Sequence, residues 1–188
     1  MTIIQAPHPT LRTKATEVDL ADQAQLNFLE KLAETLLDAN DPPGVGLAAP
    51  QVNASLRVFA TAFGDEEKQR NVRIFINPVV VDQSSTQSLG KDPDDPDLEG
   101  CLSIKGIYAP VPRYTSITYQ FLELEDNNWR EKTETFYDFP ARVMQHEFDH
   151  LEGILFTDYV LKYELPAHMS DAKTDKLVPI KHDILEMF

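Results

Sequence analysis

A chain of 188 residues, 42% apolar and 26% charged, has the composition and length of one soluble globular domain. No run approaches the roughly 18 apolar residues of a membrane span, and a net charge of −14 opposes direct binding to nucleic acid or anionic lipid. A single cysteine excludes an intrachain disulfide, and Met1-Thr2-Ile3-Ile4-Gln5 lacks the basic and apolar regions of a secretory signal, so a cytoplasmic protein is expected.

In chain order, residues 1–20 are mixed, Pro-containing and expected to be extended. Leu26, Leu29, Leu32, Ala33 and Leu36 recur at three- and four-residue spacing, which predicts an amphipathic helix over Gln23–Ala39 with Asp22 as N-cap. Asn40-Asp41-Pro42-Pro43 stops it. After Gly44-Val45-Gly46-Leu47-Ala48-Ala49-Pro50-Gln51, β-like runs follow at Leu56–Ala60, Arg73–Val81, Ser116–Leu124 and Trp129–Tyr137. Gln83–Pro96, rich in Ser, Asp and Pro, reads as an exposed loop, and Asp126-Asn127-Asn128 as a hairpin turn. A second helix is predicted over Pro140–Leu151, with Pro140 in its first turn and Gly153 at its exit. Helix, strands, helix is an α+β order, with antiparallel sheets around the second helix and the first packed outside. The stretch after Val160 carries no pattern that assigns an element.

The second helix holds His146-Glu147-Phe148-Asp149-His150, a His-Glu-x-x-His pattern. Residues four apart share a helical face, so both imidazoles can reach one ion, and Glu147 can touch a water on that ion without ligating it. A catalytic site of this kind usually takes a third protein ligand. The downstream histidines, His168 and His182, lie too far along for the common short spacing. Upstream stands Cys101 in Glu99-Gly100-Cys101-Leu102-Ser103. A lone cysteine is ordinarily a small buried hydrophobe; beside two candidate ligands it becomes a candidate third, since a metal forms the thiolate outright. These residues alone allow a general metallopeptidase or an inactive binding protein as well as another metal hydrolase.

Three segments together resemble the peptide deformylase family: Gly44 to Gln51, Glu99 to Ser103 and His146 to His150, in the family's order and separations. Pro9, Leu11, Val111-Pro112-Arg113 and Gly153–Tyr159 fit as well, so the resemblance spans about residues 3–160. It implies removal of the formyl group from N-formylmethionine on new polypeptides, with Fe(II) as cofactor and Zn, Ni or Co able to replace it. It further implies Cys101, His146 and His150 as ligands, Gln51 and the Leu102 N–H as oxyanion donors, and Glu147 as general acid/base. Gly44 and Gly46 would expose edge backbone to which an extended peptide can pair. Val45 and Val143 are candidates for the methionine pocket, with Arg113 closing it by pairing with Glu99; Asp149 is expected to anchor the helix. Residues 1–188 read as one domain with a divergent tail at 161–188. Relatives often carry a basic ribosome-docking helix there, whereas this tail sets four Lys against five acids, which puts ribosome docking in doubt. The acidic stretch Lys91–Pro96 is lengthened and reads as a solvated loop.

Overall fold

The computed structural model describes residues 1–40, 43–64, 70–92, 94–125, 128–171, 173–174 and 176–188. In chain order its elements are α1 (Gln23–Asp38), β1 (Gly46–Ala48), β2 (Val58–Phe63), β3 (Asn71–Gln83), β4 (Gln87–Ser88), β5 (Leu98–Cys101) and β6 (Ile104–Pro110). Then come β7 (Arg113–Tyr114), β8 (Ser116–Glu125), β9 (Asn128–Tyr137), α2 (Asp138–Glu152), α3 (Phe156–Lys162), β10 (Ala167–Ser170) and β11 (Leu177–Ile180), with 3-10 turns at Pro9–Arg12, Ala49–Val52 and His182–Met187.

Five strands form an antiparallel sheet in the order β1-β2-β3-β8-β9. Alternation decides which side chains each face buries. On β8, Ile117, Tyr119 and Phe121 are buried between the less buried Thr118 and Gln120, the period of two that a half-covered strand needs. On β2 both faces are buried, because each is covered by a helix. Val58 and Ala60 pack with Leu29, Leu32 and Leu36 of α1. Phe59 joins Phe75, Phe121 and Phe136 in the cluster that receives Ala141, Met144 and Leu151 of α2. α1 starts where Asp22 caps it, its carboxylate accepting the Ala24 N–H at 2.8 Å.

A second sheet, β11-β10-β6-β5, builds a third core in which Ile104, Ile107 and Ala109 meet Leu11, Phe156, Val160, Ala167 and Leu185. α2 is buried around most of its circumference, which is why it carries buried Arg142, Gln145, Glu147 and Asp149 beside its apolar residues. Truncating Met144 or Leu151, both without solvent exposure, costs about 2–5 kcal/mol by the usual large-to-small arithmetic. Gly153 ends α2 in the left-handed region at φ 73°, and a Cβ there would lie 2.8 Å from the Arg12 carbonyl, so the position excludes side chains on two counts.

The predicted helices and longer strands are present, with ends shifted by a few residues. Four local expectations change. The 83–96 segment contains strand β4, paired with β7. The N-terminal stretch contains a 3-10 turn opened by Pro9. The short strands β1, β5 and β6 were not foreseen. The patternless tail folds as the β10–β11 hairpin, docked on β6 with His168 opposite Tyr108. Asp126 and Asn127 of the expected turn, Asp41 and Pro42 of the helix stop, and Pro93 of the acidic stretch lie outside the described residues.

Candidate metal centre

Two elements deliver the candidate ligands. α2 places His146 and His150 one turn apart, with ring centroids 5.1 Å from each other. Cys101 closes the β5–β6 hairpin, paired with Ile104 across the two-residue turn Leu102-Ser103. The ligand atoms of Cys101, His146 and His150 lie within 4.8 Å of one another, and Cys101 Sγ is 3.4 Å from His150 Nε2. Atoms this close come within reach of one ion, whose bonds to nitrogen and sulfur run about 2.0–2.3 Å.

The surrounding polar groups suit an ion as well. His146 Nδ1 lies 3.1 Å from Glu99 Oε2, which leaves Nε2 free to ligate an ion. Glu99 is held in turn by Arg113, whose Nε and Nη2 each donate at 2.9 Å, and Arg113 Nη1 donates to Asp149 at 2.5 Å. Asp149 also accepts from the Tyr159 hydroxyl at 3.1 Å, so it ties α2 to α3 and to the strand carrying Arg113. Burial pushes the Glu99 carboxyl up, but Arg113 and His146 outweigh it and hold Glu99 ionised well below the usual carboxylate range. The two imidazoles diverge. His150 is pushed down by burial and by His146, whereas hydrogen bonds with Cys101 and Glu99 raise His146 against its burial. A cation here would take the place of the His146 proton.

Glu147, one step beyond His146, is 3% exposed, and its Oε2 has no hydrogen-bond partner among the described residues. Burial pushes its carboxyl up to about 7, against the pull of His146 and Arg113. β1 makes room for it: a Cβ on Gly46 would sit 2.3 Å from Glu147 Oε1. Gln51, buried in the turn after β1, is fixed at both ends of its amide. Its Oε1 accepts the Ala48 N–H at 2.8 Å, and its Nε2 faces Ser103 Oγ at 3.4 Å and Cys101 Sγ at 3.5 Å. Leu102 occupies the first turn position after Cys101, its carbonyl held by Gln5 Nε2 at 2.9 Å. Gly44 is packed against Leu36 and Leu102; Val45 is 39% exposed, and Val143 is buried one turn before His146.

A match to the polypeptide deformylase family model runs from residue 1 to 165. The chain belongs to this family. A peptide deformylase of Stenotrophomonas maltophilia is 38% identical over 87% of this chain and 89% of its own length. One of Pseudothermotoga lettingae is 36% identical over 81% and 78%. Among solved structures, a probable peptide deformylase from Synechococcus phage S-SSM7 superposes with a TM-score of 0.71 at 33% identity, covering 84% of this chain and 98% of the phage chain. A point mutant of Arabidopsis thaliana peptide deformylase 1B gives 0.71 at 30%, covering 85% and 80%. Deformylases are metal-dependent hydrolases that remove the N-formyl group from the N-terminal formylmethionine of new polypeptides, and that is this chain's reaction class. The family match ends within the segment that the sequence set apart as divergent.

One buried residue beside the candidate ligands went unread in the sequence. Arg142 donates to Glu99 Oε1 at 2.9 Å. Its signal was present in the spacing, since residues 142, 146 and 150 repeat at four-residue intervals along one face of α2.

Proposed function

We propose that Cys101, His146 and His150 hold one divalent cation, Fe(II) in the active enzyme, and that Glu147 is the group that moves protons in deformylation. The convergence of a thiol and two imidazoles, with the buried carboxylate of Glu147 next in the chain to His146 and its Oε2 without a hydrogen-bond partner among the described residues, carries this reading. A cation held there supplies the Lewis acidity that brings the pKa of a water to about 7. Glu147 takes the proton of the attacking water and returns it to the departing amine nitrogen. Burial raises its carboxyl above the ordinary carboxylate range, which brings it toward the pH at which it can both take and return a proton. Negative charge grows on the formyl oxygen, and Gln51 Nε2 with the Leu102 N–H receives it. The bond from Ala48 fixes the Gln51 amide with its NH2 toward Cys101, so little reorganisation is needed.

The substrate peptide lies along β1, which ends its sheet and leaves an edge of backbone for strand addition. Val45 and Val143 flank the methionine side chain, and the Arg113–Glu99 pair closes the end of that pocket. Residues 1–188 act as one unit, supported by the packing of Ala167 and Leu185 from the tail with Leu11 and Phe156. The tail's hairpin fold and its four Lys against five acids support substrate capture without a basic tail helix on the ribosome. The cytoplasm is the compartment proposed, consistent with a lone free thiol.

The test is formate release from formyl-Met-Ala-Ser by protein purified anaerobically, with its metal content measured. Iron at one per chain and rapid formate release are expected, with activity declining in air as metal or thiolate oxidises. Glu147→Ala should keep the metal and lose about 10²–10⁴-fold in turnover. Fully metallated wild type that releases no formate, or a Glu147→Ala protein as active as wild type, would sink the proposal.

A further inference from the structure

Glu99 is held by more than its pair with Arg113. A parallel two-bond pair with one arginine already matches the carboxylate in charge and geometry. Arg142 adds a second guanidinium, its Nη1 donating to Glu99 Oε1 at 2.9 Å and to the Val111 carbonyl at 2.7 Å. Its Nη2 donates to the Ser88 carbonyl at 3.1 Å, and Nε lies 3.8 Å from Asp97 Oδ2. The side chain is 7% exposed. Burying a second cation beside a carboxylate that is already neutralised costs several kcal/mol of desolvation unless its bonds return it. Here the bonds go to Glu99, to the 88–97 segment and to the chain just after β6.

A carboxylate offers about four lone-pair directions. Arg113 takes two, Arg142 one and His146 Nδ1 the fourth. With three directions fixed by guanidinium groups, the last is fixed as well, and it aims at His146. We infer that Arg142 is a positioning residue: together with Arg113 it locks Glu99, through Glu99 it sets the ring of His146, and it fastens the 88–97 segment to that arrangement. The segment closes on itself where the Asp97 N–H donates to the Leu89 carbonyl at 2.8 Å, and Ser88 pairs with Arg113 across β4–β7. Ser88 and Asp97, which flank the acidic stretch that the sequence assigns to solvent, are therefore both met by this one side chain.

This inference rests on His146 being a ligand, so its test reads metal affinity and not activity. Ni(II) is titrated against a competing chelator for wild type, Arg142→Met, Glu99→Gln and the double variant. Arg142→Met should bind Ni(II) about tenfold more weakly, the lower end for loss of an outer partner of a ligand. In the Glu99→Gln background the same change should have almost no further effect, because the path through Glu99 is already cut. A merely structural arginine would weaken both backgrounds equally, and that result overturns the inference. Arg142→Lys keeps the cation without the fork and guards against misfolding of the Met variant. It should weaken binding about threefold with Glu99 present and not otherwise. Unchanged affinity in both Arg142 variants, with His146→Ala abolishing Ni(II) uptake, overturns this inference alone. A wild type that takes up no Ni(II) overturns the ligand assignment and this inference with it.

Discussion

The molecule contains two arginine–carboxylate networks built from the same groups in different surroundings. Around Glu99, Arg113 is 3% exposed and meets two carboxylates under α2, beside the candidate ligands. On the five-stranded sheet, Arg73 is 25% exposed and bridges Glu123 and Glu134, the latter 40% exposed. Both arginines make short bonds, 2.5–2.9 Å in the first network and 2.8–3.2 Å in the second. Hydrogen-bond length therefore does not separate them; access to water does. In the buried network each partner is indispensable because no solvent can replace it. In the other, Arg73 and Glu134 are partly open to water, at 25% and 40% exposure.

Removing one arginine from the buried network has the largest expected effect. Arg113→Ala strands Glu99 and Asp149 with much of their counter-charge gone, and the expected loss is about 3–5 kcal/mol of unfolding free energy. Urea unfolding of metal-free protein reads it. A loss below about 1 kcal/mol would mean that Arg142 alone satisfies Glu99, and that burial does not set the two networks apart.

Crowding the buried carboxylate of Glu147 should have a smaller effect, expressed in turnover. Gly46→Ala puts a methyl where Glu147 Oε1 now stands, 2.3 Å from the new Cβ. The backbone of β1 is held by β2, so the carboxylate must move. A displacement of about 1 Å costs on the order of 10²-fold in kcat, while metal content stays at one per chain. Full activity in this variant would show that Glu147 works from another position.

A milder probe of the buried network leaves every charge in place. Tyr159→Phe removes only the hydroxyl bonded to Asp149 and keeps the ring, over which Arg113 Cζ lies at 4.9 Å. Hydrogen bonds to charged groups are worth about 1.5–3 kcal/mol, and that is the expected loss in urea unfolding. A change within about 0.3 kcal/mol would show that water reaches Asp149, contrary to its burial.

How much of this was legible in the sequence depended on whether the signal was local. α1 was readable because a solvent-facing helix must repeat its apolar residues every three or four positions, and Asp22 marks its start. The ligand candidates were readable because the two histidines are four apart and the cysteine sits in a short motif. Strands β1, β5 and β6 were not, since Gly46–Ala48 and Leu98–Cys101 are too short for alternation, and β6 carries Gly106 and Pro110. The tail hairpin was hidden for a related reason. Its exposed face resembles a loop until β6 supplies the pairing that makes Ala167 and Met169 inward-facing. Arg142 was missed because an arginine on a helix usually faces water, and only the arrival of Glu99, 43 residues earlier in the chain, gives it a reason to be buried.

The smallest effect belongs to the more open network, and it carries its own signatures. Arg73→Ala removes bonds to Glu123 and Glu134 and the packing of the guanidinium over Phe75 and Phe121, at 5.1 and 5.8 Å. Ion pairs open to water are worth about 0–1 kcal/mol and a solvated cation–π contact about 0.5–1 kcal/mol; with Arg73 only partly exposed, a total of about 1–2 kcal/mol is expected. The ion-pair share should fade in high salt, whereas the stacking share should persist. Acid should act the same way. Burial raises the Glu123 carboxyl, but Arg73 and Lys132 pull it below its ordinary value. A carboxylate whose folded pKa is depressed stabilises the fold above its unfolded pKa of about 4.3 and loses that contribution as pH falls through the folded value. The gap between wild type and Arg73→Ala should therefore be flat from about pH 8 to 5 and narrow below about 4. Urea unfolding at low and high salt, and at neutral and acid pH, measures all of this. A gap above about 2 kcal/mol that ignored both salt and pH would place Arg73 in the same class as Arg113 and dissolve the contrast between the two networks.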